Sequence, residues 1–148
     1  MNTLSRVARA SALSLLLASP ALAQGSLAHG TPRDVIRTVE MVSRVLNETR
    51  IIDVTLPASY GQGTRRYPVL IVLDGESLHL PAAALARFYA SVGELPEMLV
   101  VGVRNTDRQR DLTPAPRPGW RPPPGNSGGA ATFSRFLSTE LIAAVDST

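Results

Sequence analysis

Five consecutive apolar residues, Val69–Leu73, constrain the fold of this chain more than any other feature. A run of Val, Ile and Leu without polar alternation is typical of a strand that is covered on both faces, as in the parallel sheets of α/β proteins. Asp74 and Gly75 end the run with a turn signal. Residues 97–103, EMLVVGV, form a second run of this kind. The two runs together predict an α/β fold.

The segment between the two strands has helical periodicity. Apolar residues recur at helix spacing across residues 79–92, and Gly93 is placed to end the helix. Residues 68–103 are therefore predicted to form a strand–helix–strand unit with a right-handed crossover.

Two shorter segments precede this unit. Residues 50–56, RIIDVTL, alternate between apolar and polar positions as a strand does. Residues 35–46 fit a strand or a helix almost equally well, and we favour the strand because residues 47–49 supply a turn. The sequence thus predicts a pair of strands before the strand–helix–strand unit.

A long loop is predicted after the second buried strand. Residues 104–129 contain a charged stretch and then six prolines between Pro114 and Pro124. Proline favours extended polyproline backbone and removes the N–H that a sheet needs. Loops of this length in a compact domain are often functional. Residues 130–146 follow with one apolar face and are predicted to form a helix.

The first 23 residues have the pattern of an export signal. Arg6 and Arg9 precede a short apolar stretch at residues 10–18, and residues 21–23 are small. We predict cleavage between Ala23 and Gln24 and a periplasmic or secreted protein; a short buried helix is the alternative. The apolar stretch is too short to span a bilayer, and no later segment is long enough. Residues 24–34 are expected to be a flexible lead-in, and residues 35–148 to belong to one domain.

Charge and cysteine content argue against several classes of function. All 15 basic residues are Arg and are scattered among acids, and loss of Arg6 and Arg9 lowers the formal charge from +3 to +1. This predicts no nucleic-acid interface. The absence of Cys excludes disulfides, thiol catalysis and Cys-based zinc sites. His29 and His79 lie far apart, so neither a metal site nor a cofactor is expected.

The pentapeptide GNSGG at residues 125–129 matches G-x-S-x-G, the nucleophile-elbow pattern of serine esterases. An elbow serine lies on a turn between a buried strand and a helix, whereas PRPGWRPPP precedes Ser127 and cannot form a central strand. We therefore interpret Gly125, Ser127 and Gly129 as a loop-to-helix junction, with Ser127 or a neighbour capping the helix. The alternative is a triad of His79, Asp111 and Ser127, because geometry and not chain order defines a triad.

Four segments in order resemble the "Putative esterase" family of α/β-hydrolases, which is similar to siderophore (enterochelin) esterases and esterase D-like enzymes. They are SRVLNETRIIDVTLPASYG, YPVLIVLDGES, LPEMLVVGVRNTDRQRDLTP and SGGAATFSRFLSTELI, and they run from Ser43 to Val145. The resemblance implies a partial α/β-hydrolase fold: an N-terminal antiparallel strand pair, a βαβ unit and a following helix. The nucleophile-elbow strand, the acid and the histidine would then lie beyond Thr148.

The resemblance also implies one side of an active site. An oxyanion-hole amide comes from the loop after the third strand, so the N–H of Gly75 or Glu76 is the candidate donor, and Gly75 is expected to let the backbone turn. The possible substrate-pocket residues are Asp74, His79, Arg108, Arg110, Asp111 and Trp120. His79 is expected to line the pocket at the start of the helix and not to act as a base. For the Arg108, Arg110 and Asp111 cluster, an internal Arg–Asp pair is the alternative to a contact with an acidic or polyhydroxylated substrate.

The function implied is that of an exported serine esterase acting on a small-molecule carboxylic ester, with siderophore esters as one candidate class. This chain would be a fragment that is inactive alone. The alternative is a non-catalytic binding or scaffold domain of the same ancestry. That alternative would leave Val69–Leu73 as a long apolar sheet edge, which is an aggregation hazard.

Overall fold

The computed structural model describes residues 36–120 and 126–147. The expected export signal at residues 1–23, the lead-in at residues 24–34 and Gly125 of the GNSGG motif lie outside the described residues. None of the helices in the described ranges is long and apolar enough to cross a membrane.

The described residues form a four-stranded mixed sheet with helices, so the predicted α/β class is confirmed. The strands, in chain order, are β1 (Ile36–Ser43), β2 (Glu48–Thr55), β3 (Val69–Leu73) and β4 (Leu99–Val103). Their order in the sheet is β1-β2-β4-β3. β1 pairs antiparallel with β2, β2 antiparallel with β4, and β3 parallel with β4. The predicted strand pair and strand–helix–strand unit are both present.

Helix α1 (Gly75–Ser91) begins four residues earlier than predicted. The sequence pattern suggested a turn through residues 74–77, but only Asp74 takes the left-handed conformation, with φ 54°. The Asp74 carbonyl accepts hydrogen bonds from the N–H groups of Ser77 and Leu78, both at 2.9 Å, so the helix is already formed there. Asp is one of the few non-glycine residues that tolerate this backbone region, and a single such residue is enough to redirect the chain.

The expectation of a loop throughout residues 104–129 was wrong, since a short helix, α2 (Arg108–Leu112), lies within it. The Asp107 carboxylate caps this helix by accepting a hydrogen bond from the Arg110 N–H at 2.9 Å. An Asp cap directly before a charged RQR stretch is a local signal that the nearby proline-rich segment obscured.

The predicted final helix is confirmed. It runs as α3 (Ala130–Phe136), a π-helical turn (Leu137–Leu141) and α4 (Ile142–Asp146) without a break. Of the expected cap candidates, Ser127 or a neighbour, it is the neighbouring Gly129 that is the N-cap residue, and it gives no side-chain hydrogen bond. In the π turn, the Glu140 carboxylate accepts hydrogen bonds from the Arg44 and Val45 N–H groups, at 3.0 and 3.1 Å. This contact ties the helix to the β1–β2 turn.

The core lies on both faces of β4. One cluster joins β2 and β4 to the final helix, and a smaller one lies beneath α1. The buried members of the first are Ile52, Val101, Val103, Phe133, Phe136 and Leu141. Ala83, Ala86 and Val100 form the second. β3 was expected to be covered on both faces, yet it lies at the sheet edge among the described strands, and Val69 and Leu70 are each 38% exposed.

A buried guanidinium connects β2 to the segment after β4. Arg50 is 0% exposed, and its Nη1 donates hydrogen bonds to Glu48 Oε1 and Asp111 Oδ2, each at 2.7 Å. Its Nη2 donates to the Arg104 carbonyl at 2.9 Å, and the guanidinium carbon lies 5.2 Å from the centre of the Phe133 ring. A charge removed from water needs this number of partners, because an unpaired buried charge costs several kcal/mol.

Replacing Arg50 with Met should lower the free energy of unfolding by about 3 kcal/mol, because it leaves the buried Asp111 carboxylate with fewer donors. Urea denaturation followed by circular dichroism measures this. Arg65→Met is the matched control: Arg65 lies 3.9 Å from Glu97 and its side chain is 66% exposed, so a change below about 0.5 kcal/mol is expected. Equal effects of the two substitutions would contradict the prediction.

Candidate functional site

The carboxyl ends of β3 and β4 meet at one edge of the sheet, because the two strands are parallel. Asp74 follows β3 and Arg104 follows β4 directly. In open α/β sheets, ligands bind at this edge. The residues at this edge therefore form the candidate site.

Gly75 is required by space. A Cβ atom at this position would lie 2.9 Å from backbone atoms of Gly102 and Val103 in β4, which is closer than real Cβ contacts allow. The expectation that Gly75 supplies the turn was wrong, since Asp74 carries the positive φ. The absence of a side chain instead lets the start of α1 lie directly against the β4 backbone.

Two amide groups at the start of α1 have no backbone acceptor within the helix, although the Glu76 N–H donates to its own carboxylate. Ser77 and Leu78 donate to the Asp74 carbonyl, which leaves the N–H groups of Gly75 and Glu76 as the remaining first-turn donors. Such groups carry part of the positive end of the helix dipole, so they favour a negative charge nearby. These are the two donors that the resemblance identified as candidates.

A polar cluster surrounds these amides. The Asn105 side-chain amide donates hydrogen bonds to Asp74 Oδ1 at 2.7 Å and Glu76 Oε1 at 2.6 Å, and the Asn105 N–H donates to Glu76 Oε2 at 3.1 Å. Arg108 donates to both carboxylate oxygens of Asp74, at 2.7 and 3.1 Å. Sequence reasoning missed Asn105. The available signal was its place just after a buried strand parallel to the one that Asp74 follows.

Both carboxyl groups are held in the ionised form. The hydrogen bond from Arg108 lowers the pKa of Asp74, and the one from Asn105 lowers it further. Burial raises the pKa of Glu76, but hydrogen bonds from its own N–H and from Asn105 outweigh this and leave the pKa below the usual value. The edge therefore carries two carboxylates, and one of them has a bidentate guanidinium partner.

Of the predicted Arg108, Arg110 and Asp111 cluster, Arg108 alone reaches this edge. Its side chain is 63% exposed. Arg110 donates to Glu48 and to Asp111, at 2.7 Å in each case, and these contacts raise its pKa. Asp111 is 2% exposed and pairs with Arg50 as well. Arg110 and Asp111 thus form the internal pair that was the stated alternative. Trp120 is 36% exposed, and its N–H donates to the Arg117 carbonyl at 3.0 Å.

His79 belongs to α1, and its imidazole lies between the helix and the sheet. It is 2% exposed, and its Nε2 lies 2.8 Å from the Thr55 hydroxyl oxygen in a hydrogen bond. Its Nδ1 is buried without a hydrogen-bond partner. A Cβ atom on Gly102 would lie 2.7 Å from that nitrogen, so the imidazole is packed directly against β4. The His79 side chain is thus buried on the sheet side of its own helix and is not exposed at the open edge.

Gly128 and Gly129 of the GNSGG motif allow close packing of α3 against the segment that contains α2. The Gly129 N–H donates to the Arg110 carbonyl at 2.8 Å, and a Cβ on Gly129 would lie 2.8 Å from that same oxygen. The Gly128 N–H donates to the Thr113 hydroxyl at 3.0 Å. Among the described residues between β4 and Ser127, none forms a strand. Nor does any hydrogen bond described for residues 36–120 and 126–147 join Ser127, His79 and Asp111.

A cavity lies at the other end of α1. A cavity of about 450 Å³ opens between the last turns of α1 and the start of β4, and Ala90, Ser91 and Met98 are among its lining residues. It is distant from the Asp74 edge along the helix. Across the described ranges, no group of three or more His, Asp or Glu side chains is placed to hold a metal ion.

Comparison with known proteins places this chain in a family. Residues 43–148 match the family described as "Putative esterase". An IroE-like serine hydrolase from Shewanella oneidensis is 32% identical with a TM-score of 0.69, and the match covers 76% of this chain and 38% of that one. An uncharacterised protein from Capnocytophaga ochracea is 29% identical with a TM-score of 0.64, over 76% of this chain and 29% of that one.

A more distant similarity supports the fold alone. The enterobactin esterase FES from Shigella flexneri is 18% identical with a TM-score of 0.56, and the match covers 78% of this chain and 26% of that one. No curated protein matches. The chain spans less than half the length of each of these solved structures.

The buried His79 generates a prediction about stability and pH. Burial lowers its pKa, and nearby Arg104 adds to this, whereas Asp53 opposes it. The folded chain therefore binds fewer protons at this site than the unfolded chain below about pH 6.5, and stability should fall as pH decreases from there, by at most about 1.4 kcal/mol per pH unit.

His79→Gln should flatten this dependence between about pH 5 and 6.5, since Gln does not titrate. Urea denaturation at half-unit pH steps measures the slope. The carboxyl groups with lowered pKa values stabilise the folded chain, and this stability is lost only at lower pH, below about pH 4.5. The variant should retain that loss. An unchanged slope above pH 5 would show that His79 is not the group responsible.

Proposed function

Because this chain belongs to the "Putative esterase" family, we propose that residues 43–148 form the N-terminal part of a serine esterase domain. Its nucleophile, acid and histidine would lie outside these 148 residues. The solved relative from Shewanella, named as a serine hydrolase, is more than twice as long as the segment it shares with this chain. The chain by itself is then inactive as an esterase.

The observation that carries the proposal is the start of α1 at the carboxyl end of β3. The N–H groups of Gly75 and Glu76 have no backbone acceptor within the helix, at the edge where an α/β-hydrolase forms its oxyanion hole. A donor fixed before the reaction stabilises the negative charge that develops on the ester carbonyl oxygen. Loss of one such donor typically reduces kcat by a factor of about 10² to 10³.

The reaction proposed is two-step acyl transfer. A serine oxygen attacks the ester carbonyl, the alcohol leaves with a proton from the histidine, and water then hydrolyses the acyl-serine. Only oxyanion stabilisation is assigned to residues of this chain. Carboxylic esters are the substrate class, and siderophore lactones are the first candidates to assay. Arg108, the partly exposed cation at this edge, is suited to an acidic or polyhydroxylated substrate.

We further propose that the enzyme works outside the cytoplasm. The support is the sequence pattern of residues 1–23, with two arginines before a short apolar stretch and small residues at the end. A mature protein beginning at Gln24 is the expected consequence.

A fluorophosphonate probe for active serines, combined with intact mass, tests the proposal. The native protein from the exported fraction should begin at Gln24, exceed 15.8 kDa and be labelled on a serine outside residues 1–148. The recombinant segment 24–148 should remain unlabelled and should not hydrolyse p-nitrophenyl butyrate above the buffer rate.

Ser127→Ala in the same recombinant segment is the matched control for the G-x-S-x-G motif. Labelling or hydrolysis that the segment shows and this variant loses would make Ser127 the nucleophile and overturn the proposal. A native protein of no more than 15.8 kDa that resists the probe would instead favour a non-catalytic binding domain.

A further inference from the structure

We propose that Asn105 is a positioning residue that holds the start of α1 in the geometry that the Gly75 and Glu76 N–H groups need to stabilise an oxyanion. The inference rests on the proposed function, because it concerns the same amides. It goes beyond that function by assigning a role to a residue on a different element.

The backbone of Asp74 has to be held in an unfavourable conformation. Its left-handed backbone, with φ 54° and ψ 43°, directs the chain from β3 into α1. This conformation is unfavourable for most L-residues and persists only when the surroundings fix it. The Asp74 side chain makes no capping bond to its own helix, so its fixation comes from elsewhere.

The fixation comes from the segment after β4. Asn105 donates to Asp74 and to Glu76 with the same side-chain nitrogen, at 2.7 and 2.6 Å, and its N–H holds the second oxygen of Glu76. Asn105 therefore bridges the residues on either side of Gly75. Arg108 holds Asp74 alone, so it cannot fix the orientation of Glu76.

The contribution of Asn105 is also electrostatic. Two carboxylates beside an oxyanion would oppose the negative charge that forms there. The Asn105 side chain donates to one oxygen of each carboxylate and so offsets part of their negative charge, and it does this without adding a charge of its own. Asn suits this position because its amide supplies two donors from one nitrogen.

Asn105 itself sits on a fixed base. It follows Arg104, whose carbonyl accepts a hydrogen bond from the buried Arg50 and whose guanidinium pairs with Asp53 at 2.7 Å. The Arg104 N–H donates to the Ile51 carbonyl at 3.0 Å, which extends the sheet bonding one residue beyond β4. The bridge thus transmits the rigidity of β2 and β4 to the start of α1.

The test uses steady-state kinetics of the active native protein with p-nitrophenyl butyrate, and a boronic acid as transition-state analogue. Asn105→Ala should lower kcat by a factor of about 10 to 100 with KM changed less than about threefold, because the defect is expressed at the transition state. The Ki of the boronic acid should rise by a similar factor. Asn105→Asp keeps the shape, removes the donors and adds a third carboxylate, so its loss should be at least as large.

Asn126→Ala is the matched control. The Asn126 side chain donates to the Asp107 carboxylate at 2.7 Å, the same kind of bond in the same stretch of chain, but it does not contact α1. Its kcat and Ki should equal those of the wild type. Melting temperatures of all variants identify any that fail to fold. If the Ala variant fails to fold, the isosteric Asp variant still allows the test.

The outcomes separate the two proposals. A wild-type native protein that neither hydrolyses esters nor reacts with the serine probe would overturn the proposed function, and this inference with it. An active wild type with Asn105 variants that fold and keep wild-type kcat and Ki would overturn this inference alone. A fall in melting temperature without a change in kcat would assign Asn105 a purely structural role and would also overturn it.

Discussion

The buried Arg50–Asp111 ion pair is the interaction on which the arrangement of the open sheet edge depends. It joins the middle of the β1–β2–β4 sheet to a short helix that has almost no core of its own. Five-residue helices are not stable alone, so α2 needs tertiary contacts to hold it. Arg50 supplies them through Asp111 and through the Arg104 carbonyl, and Phe133 covers the guanidinium from the side of α3.

The charged residues after β4 thereby divide into two groups. Arg110 and Asp111 face inward and anchor the segment, whereas Asn105 and Arg108 face the carboxyl end of β3. In one dimension the stretch RNTDRQRD is a uniform run of polar residues. The division is seen in the contacts: Arg108 bonds to Asp74, whereas Arg110 bonds to Glu48 and Asp111 bonds to Arg50. A solvated loop would not have separated them.

Several elements were predictable because their signals are local. Strands of consecutive β-branched residues, the alternation in residues 50–56 and the apolar face of residues 130–146 all depend on neighbours in sequence. The start of α1 and the existence of α2 were not recovered, because each is decided by one or two residues. Asp74 alone changes the direction of the chain. Asp107 caps a helix just before the proline-rich segment, where a continuous loop was predicted. The role of Asn105 was also invisible, since its partners lie about 30 positions away.

The sequence by itself determined the α/β class, the strand–helix–strand unit and the resemblance to an esterase family. These follow from periodicity and from ordered motifs, which are properties of the chain read in one direction. Only the tertiary structure decided why Gly75 must be glycine, why His79 is buried under α1 and why Arg50 can carry a charge in the core. Each of these depends on atoms of β4 or α2 that pack directly against the residue, and the distances between packed elements are not encoded in sequence spacing.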